Sequence, residues 1–187
     1  VGYRAAEELT TGERNIAIGW EALDGATGAN DSIAIGKGSL GGALTGTGNI
    51  GIGVSAGDAI TSGSYNIALG VSAGGAITTA GGNIMIGVDA GLQVSTGANN
   101  VAIGTSAMRQ NDGTPSENVA IGYIAMYEGT GDYNVAVGKG ALRATDGNYN
   151  VGVGYNSGIN LTTGQYNTLL GAKSGDTITT GSRNLAI

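Results

Sequence analysis

The stretch Asn66-Ile67-Ala68-Leu69-Gly70-Val71-Ser72-Ala73-Gly74-Gly75-Ala76-Ile77-Thr78-Thr79-Ala80-Gly81-Gly82-Asn83-Ile84-Met85-Ile86-Gly87-Val88-Asp89-Ala90-Gly91 decides the fold, because it repeats itself. Asn66-Ile67-Ala68-Leu69-Gly70 returns seventeen residues later as Asn83-Ile84-Met85-Ile86-Gly87. The Gly that closes the motif stands at positions 2, 19, 36, 53, 70, 87, 104, 122, 138, 154 and 171. Successive steps are 17 six times, then 18, 16, 16 and 17. A period of this length across a whole chain marks a repeat architecture, in which each unit buries its face against the next.

Columns sharpen the reading. Asn opens the motif at Asn15, Asn49, Asn66, Asn83, Asn100, Asn118, Asn134, Asn150, Asn167 and Asn184, and Ser32 takes its place once. Two mostly large apolar residues follow, separated by Ala or Gly in nine coils, with Met85 and Leu169 departing. Large-small-large with β-branched side chains is a strand pattern. The same strand at a fixed period predicts stacked, parallel, in-register strands. The fold class expected is therefore all-β, a parallel β-solenoid or β-roll of about eleven coils of 17 residues. Residues 1–187 form a single repeat domain, and since Val1 and Ile187 fall inside repeats, an excerpt of a longer array is expected.

Bulk is traded between two further positions. Where the fourth residue after the marker Gly is large (Leu23, Leu40, Met108, Met126, Leu142), the seventh is not. Where the fourth is small, the seventh is large (Leu9, Ile60, Ile77, Val94, Leu161, Ile178). Cores conserve volume, so both positions are expected to fill one interior space. With the two strand residues pointing inward as well, each layer would hold about three large apolar side chains. The small strand residues Ala17, Ala34, Gly51, Ala68, Ala102, Ala120, Ala136, Gly152 and Ala186 would then face outward, as a seam on which a second subunit packs closely. The Asn column is expected to form a hydrogen-bonded amide ladder. The stretch 111–116, which holds the only Pro, reads as an outward bulge in the 18-residue coil.

Composition closes off several functions. The 187 residues include 38 Gly, one Pro and no Phe. Charged residues are 12 % of the chain, against about 25 % in ordinary domains, but 41 % are hydrophobic, so the chain is not expected to be disordered. Net charge is −6, from 14 acidic and 8 basic residues without a basic cluster, which argues against nucleic acid as a partner. No apolar run is long enough for membrane insertion by this segment. Without His or Cys the usual general bases and nucleophiles are missing, so no enzyme and no cofactor are expected. Acidic residues lie singly, as at Asp58, Asp89, Asp132 and Asp176, and no metal site is expected within the chain. Gly-rich segments such as Gly51–Gly57 and Gly152–Gly158 mimic a nucleotide loop, but they are the repeat motif with Gly in its middle slot. Thr pairs such as Thr78-Thr79 and Thr162-Thr163 raise an ice-binding surface, yet the column breaks at Thr145-Asp146.

Aromatic residues fall in two columns. Tyr65, Tyr133, Tyr149 and Tyr166 precede the Asn; Tyr3, Trp20, Tyr123 and Tyr155 follow the marker Gly. Trp20, Tyr123, Tyr149, Tyr155 and Tyr166 are the candidates for contact with a glycan, receptor or neighbouring chain, with Tyr149, Tyr155 and Tyr166 expected close together.

The motif Asn-Ile-Ala-Ile-Gly-x-x-Ala, as in Asn15 to Ala22 and in its Val form from Asn118 to Ala125, resembles the head repeat of trimeric autotransporter adhesins. It is also similar to repeats of phage tail fibres and of large exported bacterial surface proteins. The resemblance implies a left-handed β-roll, a homo-oligomer with three chains, and an extracellular location at a cell surface or on a virion fibre. It implies a structural and adhesive role, with rigid extension and contact to a host, prey or substratum. A phage tail-fibre shaft or receptor-binding segment, and an ice-binding β-solenoid, are the alternatives.

Overall fold

A computed structural model of the chain describes residues 1–110 and 114–187. It is a parallel β-solenoid of about ten turns. Eleven short strands form one sheet in sequence order: β1 (Ile16–Ile18), β2 (Ile33–Ile35), β3 (Ile50–Ile52), β4 (Ile67–Leu69), β5 (Ile84–Ile86), β6 (Val101–Ile103), β7 (Val119–Ile121), β8 (Val135–Val137), β9 (Val151–Val153), β10 (Thr168–Leu170) and β11 (Leu185–Ala186). All pairs are parallel and in register, so Ile67 lies between Ile50 and Ile84, and Ala68 between Gly51 and Met85. Strands in such a sheet lie ~4.8 Å apart, which sets the rise of each coil.

The rest of each coil is turns, bonded from coil to coil through the main chain. Gly57 N–H donates to the Ala73 carbonyl (2.9 Å), Gly74 N–H to the Ala90 carbonyl (2.8 Å) and Ser72 N–H to the Val54 carbonyl (2.9 Å). Three positions per coil adopt left-handed backbone: the residue before Asn, and the second and fourth residues after the marker Gly. Tyr65 (φ 60°), Ser72 (φ 53°) and Leu40 (φ 48°) are examples. The marker Gly itself has φ near +130°, a region closed to other residues. A Cβ at Gly53 would also stand 2.5 Å from the Gly70 carbonyl oxygen, so stacking and conformation both demand glycine there.

The direction of the strand side chains corrects the sequence reading. The small middle residue points inward: Ala34, Ala68, Ala102, Ala120 and Ala136 are fully buried, Gly51 and Gly152 are buried, and Ala17 and Ala186 are half-buried against the core. The large residues on either side point outward; Ile52, for example, is 39 % exposed. The expected seam of small residues is therefore an inner wall. The cause is volume. A second inner wall is lined by Ala22, Ser39, Ala56, Ala73, Ala90, Ala107, Ala125, Ala141 and Ser157, all fully buried. Between these walls there is room for about one large side chain per layer, not three. That side chain comes from one of the two trading positions, as with buried Leu23, Leu142, Ile60 and Ile77.

The trade reaches further than those two positions. Gly51 and Gly152 leave space for Leu40 and Leu142, whose Cγ atoms would stand 2.8 and 2.7 Å from an added Cβ. Where the strand middle is large, at Met85 and Leu169, the neighbouring turn has Gly91 and Gly175, and a Cβ on either would run into that side chain. One coil departs from the pattern: Ala43 is exposed, while Leu44, one residue on, is buried together with Leu40. In the 18-residue coil Asn111, Asp112 and Gly113, the first half of the expected bulge, lie outside the described residues.

Candidate interaction face

Two features of the coil carry functional candidates: the polar ladder within it and the apolar face outside it. The ladder starts from Asn, whose short amide can both donate and accept. In the regular coils Asn Oδ1 accepts the main-chain N–H of the next Asn: Asn66 to Asn49 at 3.0 Å, Asn83 to Asn66 at 3.0 Å, Asn100 to Asn83 at 2.9 Å. Nδ2 donates forward to the carbonyl three residues before the next Asn, as from Asn66 to Ala80 (2.8 Å) and from Asn83 to Gly97 (3.0 Å). It also donates back to the previous Oδ1 (3.1 Å in both cases). From Asn49 to Asn167 these side chains are buried; Asn15 and Asn184 are half-buried. Ser32 keeps the register: its N–H donates to Asn15 Oδ1 (2.9 Å), and its Oγ accepts from Asn49 N–H (3.3 Å).

The two 16-residue coils lose the forward and the backward Nδ2 bonds of this set and keep the main-chain bond to Oδ1. Asn118 Nδ2 turns to Ser116 O (3.1 Å), and Asn134 Nδ2 is buried without a partner. The Oδ1 bonds persist through both coils at 2.8 Å, and the forward bond returns at Asn150, which donates to Gly164 O (2.9 Å). A second polar column, not singled out in the sequence, lies two residues before the Asn. Glu13 N–H donates to Asn30 Oδ1 (3.0 Å), Ser116 N–H to Asp132 Oδ1 (2.8 Å) and Asp132 N–H to Asn148 Oδ1 (2.8 Å). Its residue types vary too much for a column of letters to reveal it. Thr hydroxyls are also consumed within the solenoid: Thr61 donates to Thr78 O (3.2 Å) and Thr162 to Thr179 O (3.1 Å).

The outer face of the sheet is the opposite case. Ile33, Ile50, Ile67, Ile84, Val101, Val119, Val135 and Val151 form one rank, half-buried by their neighbours along the rod. The rank from Ile18 to Leu170 runs beside it, with Ile52, Ile121, Val153 and Leu170 each more than a third exposed. Val54, Val71 and Val88 widen the strip in the middle coils. At ~4.8 Å per strand, eleven strands and two ranks make roughly 500 Å² of continuous apolar surface, as large as the largest patch of a typical monomer.

Aromatic residues line both margins of this strip. On the Asn side, Tyr133, Tyr149 and Tyr166 form a parallel stack, with ring centroids 4.9 and 5.0 Å apart and planes within 3° and 5°. Arg183 covers the outer face of the stack, its guanidinium 5.8 Å from the Tyr166 ring centre. The Glu117 carboxylate, helped by Tyr149, burial and Asp132, pushes the Tyr133 phenol above the ordinary range. On the Gly side Tyr3 lies against Trp20 (4.6 Å, tilted), and Lys139 sits between Tyr123 and Tyr155, 5.7 and 5.9 Å from their ring centres. Tyr155 is thus not grouped with Tyr149 and Tyr166. Strand β9 and its flanking residues separate the columns by roughly 20 Å of extended chain. Stacking also takes the ring faces of Tyr149 and Tyr166, leaving their edges for contact.

On the turn side, Glu21, Asp24, Asp58 and Ser55 surround a hollow of about 260 Å³ where Gly38, Gly41 and Gly42 lack side chains. The Arg4 guanidinium pairs with Glu21 (3.4 Å) and Asp24 (3.3 Å) at its edge. Burial pushes the Asp58 carboxyl up, against hydrogen bonds from Ser55 and the main chain. Among the described residues, no three potential metal-binding side chains converge.

Comparison of the chain with protein-family models, curated proteins and solved structures finds no match.

Proposed function

We propose that this chain is a structural and adhesive segment of an extracellular fibre, assembled side by side with copies of itself through the outer Ile/Val face. The observation that carries the reading is that face: a long apolar strip on a rod whose inner walls are packed and whose Asn ladder, Asn134 Nδ2 apart, is bonded internally. Exposed strips of this size mark interaction surfaces. A second copy is the occupant that fits best, because it alone brings ridges with the same spacing over the same length. Three chains around one axis, as the adhesin resemblance implies, would enclose all the strips at once. Rigid extension then comes from the ladders, and contact with a host, prey or substratum from the aromatic margins and the turn side. An ice-binding role is less well supported, since the Thr hydroxyls named above are bonded to the main chain.

The test is solution mass across a concentration series, for the natural chain and for Ile67→Lys combined with Ile84→Lys. The natural chain is expected to assemble, with a trimer as the limiting species. The variant is expected to stay monomeric with an unchanged β-sheet circular dichroism spectrum. A natural chain that stays monomeric at every concentration overturns the proposal.

A further inference from the structure

We propose that Tyr133, Tyr149 and Tyr166 are a site of oxidative cross-linking, where a one-electron oxidant joins consecutive coils through a dityrosine bond. The stack holds what the coupling needs. Neighbouring rings are parallel with centroids 4.9–5.0 Å apart, which brings the rings of consecutive coils side by side in one column. Each Tyr is between 43 and 51 % exposed, and since the ring faces cover one another, the exposed parts are the edges and hydroxyls that an oxidant reaches. All three share the same left-handed backbone (φ 58–60°), which fixes their register.

Competing sinks are distant or shielded. The chain has no Cys and no His, and Met85, Met108 and Met126 are fully buried. Trp20 lies seven coils from Tyr133, roughly 30 Å along the rod. A tyrosyl radical formed on the stack therefore meets another tyrosine first.

The step balances with hydrogen peroxide and a haem peroxidase as the oxidising system. Each of two tyrosines gives up one electron and its phenolic proton. The two radicals join through a new bond between their ortho ring carbons. The two ortho hydrogens then leave those carbons as protons, and the phenolate oxygens are reprotonated, so that both phenols are restored. The product has lost two hydrogen atoms in total, and one peroxide is reduced to two waters. The cross-link adds a covalent side-chain tie between coils otherwise held by the running main chain, its hydrogen bonds and the packed interior.

Tyr65, Tyr123 and Tyr155 serve as controls. Tyr65 has Gly48 and Gly82 as column neighbours, and Lys139 separates Tyr123 from Tyr155. The experiment treats the full chain with peroxidase and hydrogen peroxide, then reads biphenol fluorescence and maps linked peptides by mass spectrometry. The expected result is links between 133 and 149 and between 149 and 166, in chains of monomer mass less two hydrogens. Tyr149→Phe should reduce the signal to background, while Tyr133→Phe should retain only the 149–166 link. In denaturant the links should scatter over the eight tyrosines. Absence of biphenol in the folded chain overturns the proposal. So do links that fall mainly on Tyr65, Tyr123 or Tyr155, or between chains.

Discussion

The two faces of the same strand differ in the opposite sense to the usual rule. The inner face has Ala68, Ala102 and Ala120, all fully buried; the outer face has Ile67, Leu69, Val101 and Ile103, all partly open to water. In most half-buried sheets the larger apolar residues go in and the smaller or polar ones stay out. Here the interior is too narrow. In most layers its walls are two ranks of Ala, Gly and Ser around one large side chain, so the inward slot of the strand accepts a methyl group and rarely more. Available volume, not hydrophobicity, selects the face, and the larger apolar residues are left where another molecule can cover them.

Exchanging the faces is the most severe test. Ile67→Ala with Ala68→Ile keeps the composition of β4 but drives a branched side chain into the filled interior. A loss of about 4 kcal/mol or more is expected, from overpacking together with the lost outer contact, and measurable by denaturant unfolding. Single changes separate the contributions: Ala102→Leu should cost about 1–3 kcal/mol, and Ile103→Ala less than about 1 kcal/mol in the monomer. Equal costs for these two would remove the distinction between the faces.

The ladder supplies a contrast of intermediate size. Asn100 accepts from Asn118 N–H (3.1 Å) and donates to Asn83 Oδ1 (3.1 Å) and Pro115 O (2.6 Å), whereas Asn134 Nδ2 has no partner. Asn100→Ala should therefore cost about 2–3 kcal/mol, and Asn134→Ala about 1–2 kcal/mol, because a buried group that loses its partner pays its full desolvation. Thermal melting of both variants beside the natural chain checks the order.

The smallest expected effect lies on the turn side. Burial raises the Asp58 carboxyl above its unfolded value, so the folded state resists its ionisation. Its contribution to stability is fully present below the unfolded pKa, about 3.9, and declines as pH rises through the folded value. Asp58→Asn should thus stabilise the fold at pH 7 by less than about 1 kcal/mol, the group being partly solvated, and should give no gain at pH 3. A variant less stable than the natural chain at pH 7 would show that the hydrogen bonds outweigh burial.

Much of this fold is legible in the sequence because every column is read eleven times. Period, parallel register, the turn-forming glycines and the Asn column follow from positions such as Asn66 and Gly70 and their recurrences. Sidedness does not. The sequence Ile67-Ala68-Leu69 alternates whichever face is inside, and only the second wall, from Ala22 to Ser157, fixes how little space remains. The aromatic contacts are half legible: Tyr149 and Tyr166 share a column, but proximity in sequence misplaces Tyr155, because a strand carries it to the other margin. The second polar column hides because Asn30, Asp132 and Asn148 accept a neighbouring main-chain N–H with side chains of different types.

The Asn ladder makes the molecule a ruler. Duplicating any 17 residues in the regular part restores every rung and lengthens the rod by ~4.8 Å, without creating a junction different from those already present. Gains and losses of other sizes must be absorbed in the turns, and the two shortened coils show the local penalty: the main rung survives and both amide hydrogens of Asn134 go unanswered. Reach can thus change in discrete increments while the cross-section, and with it the outer strip, stays the same.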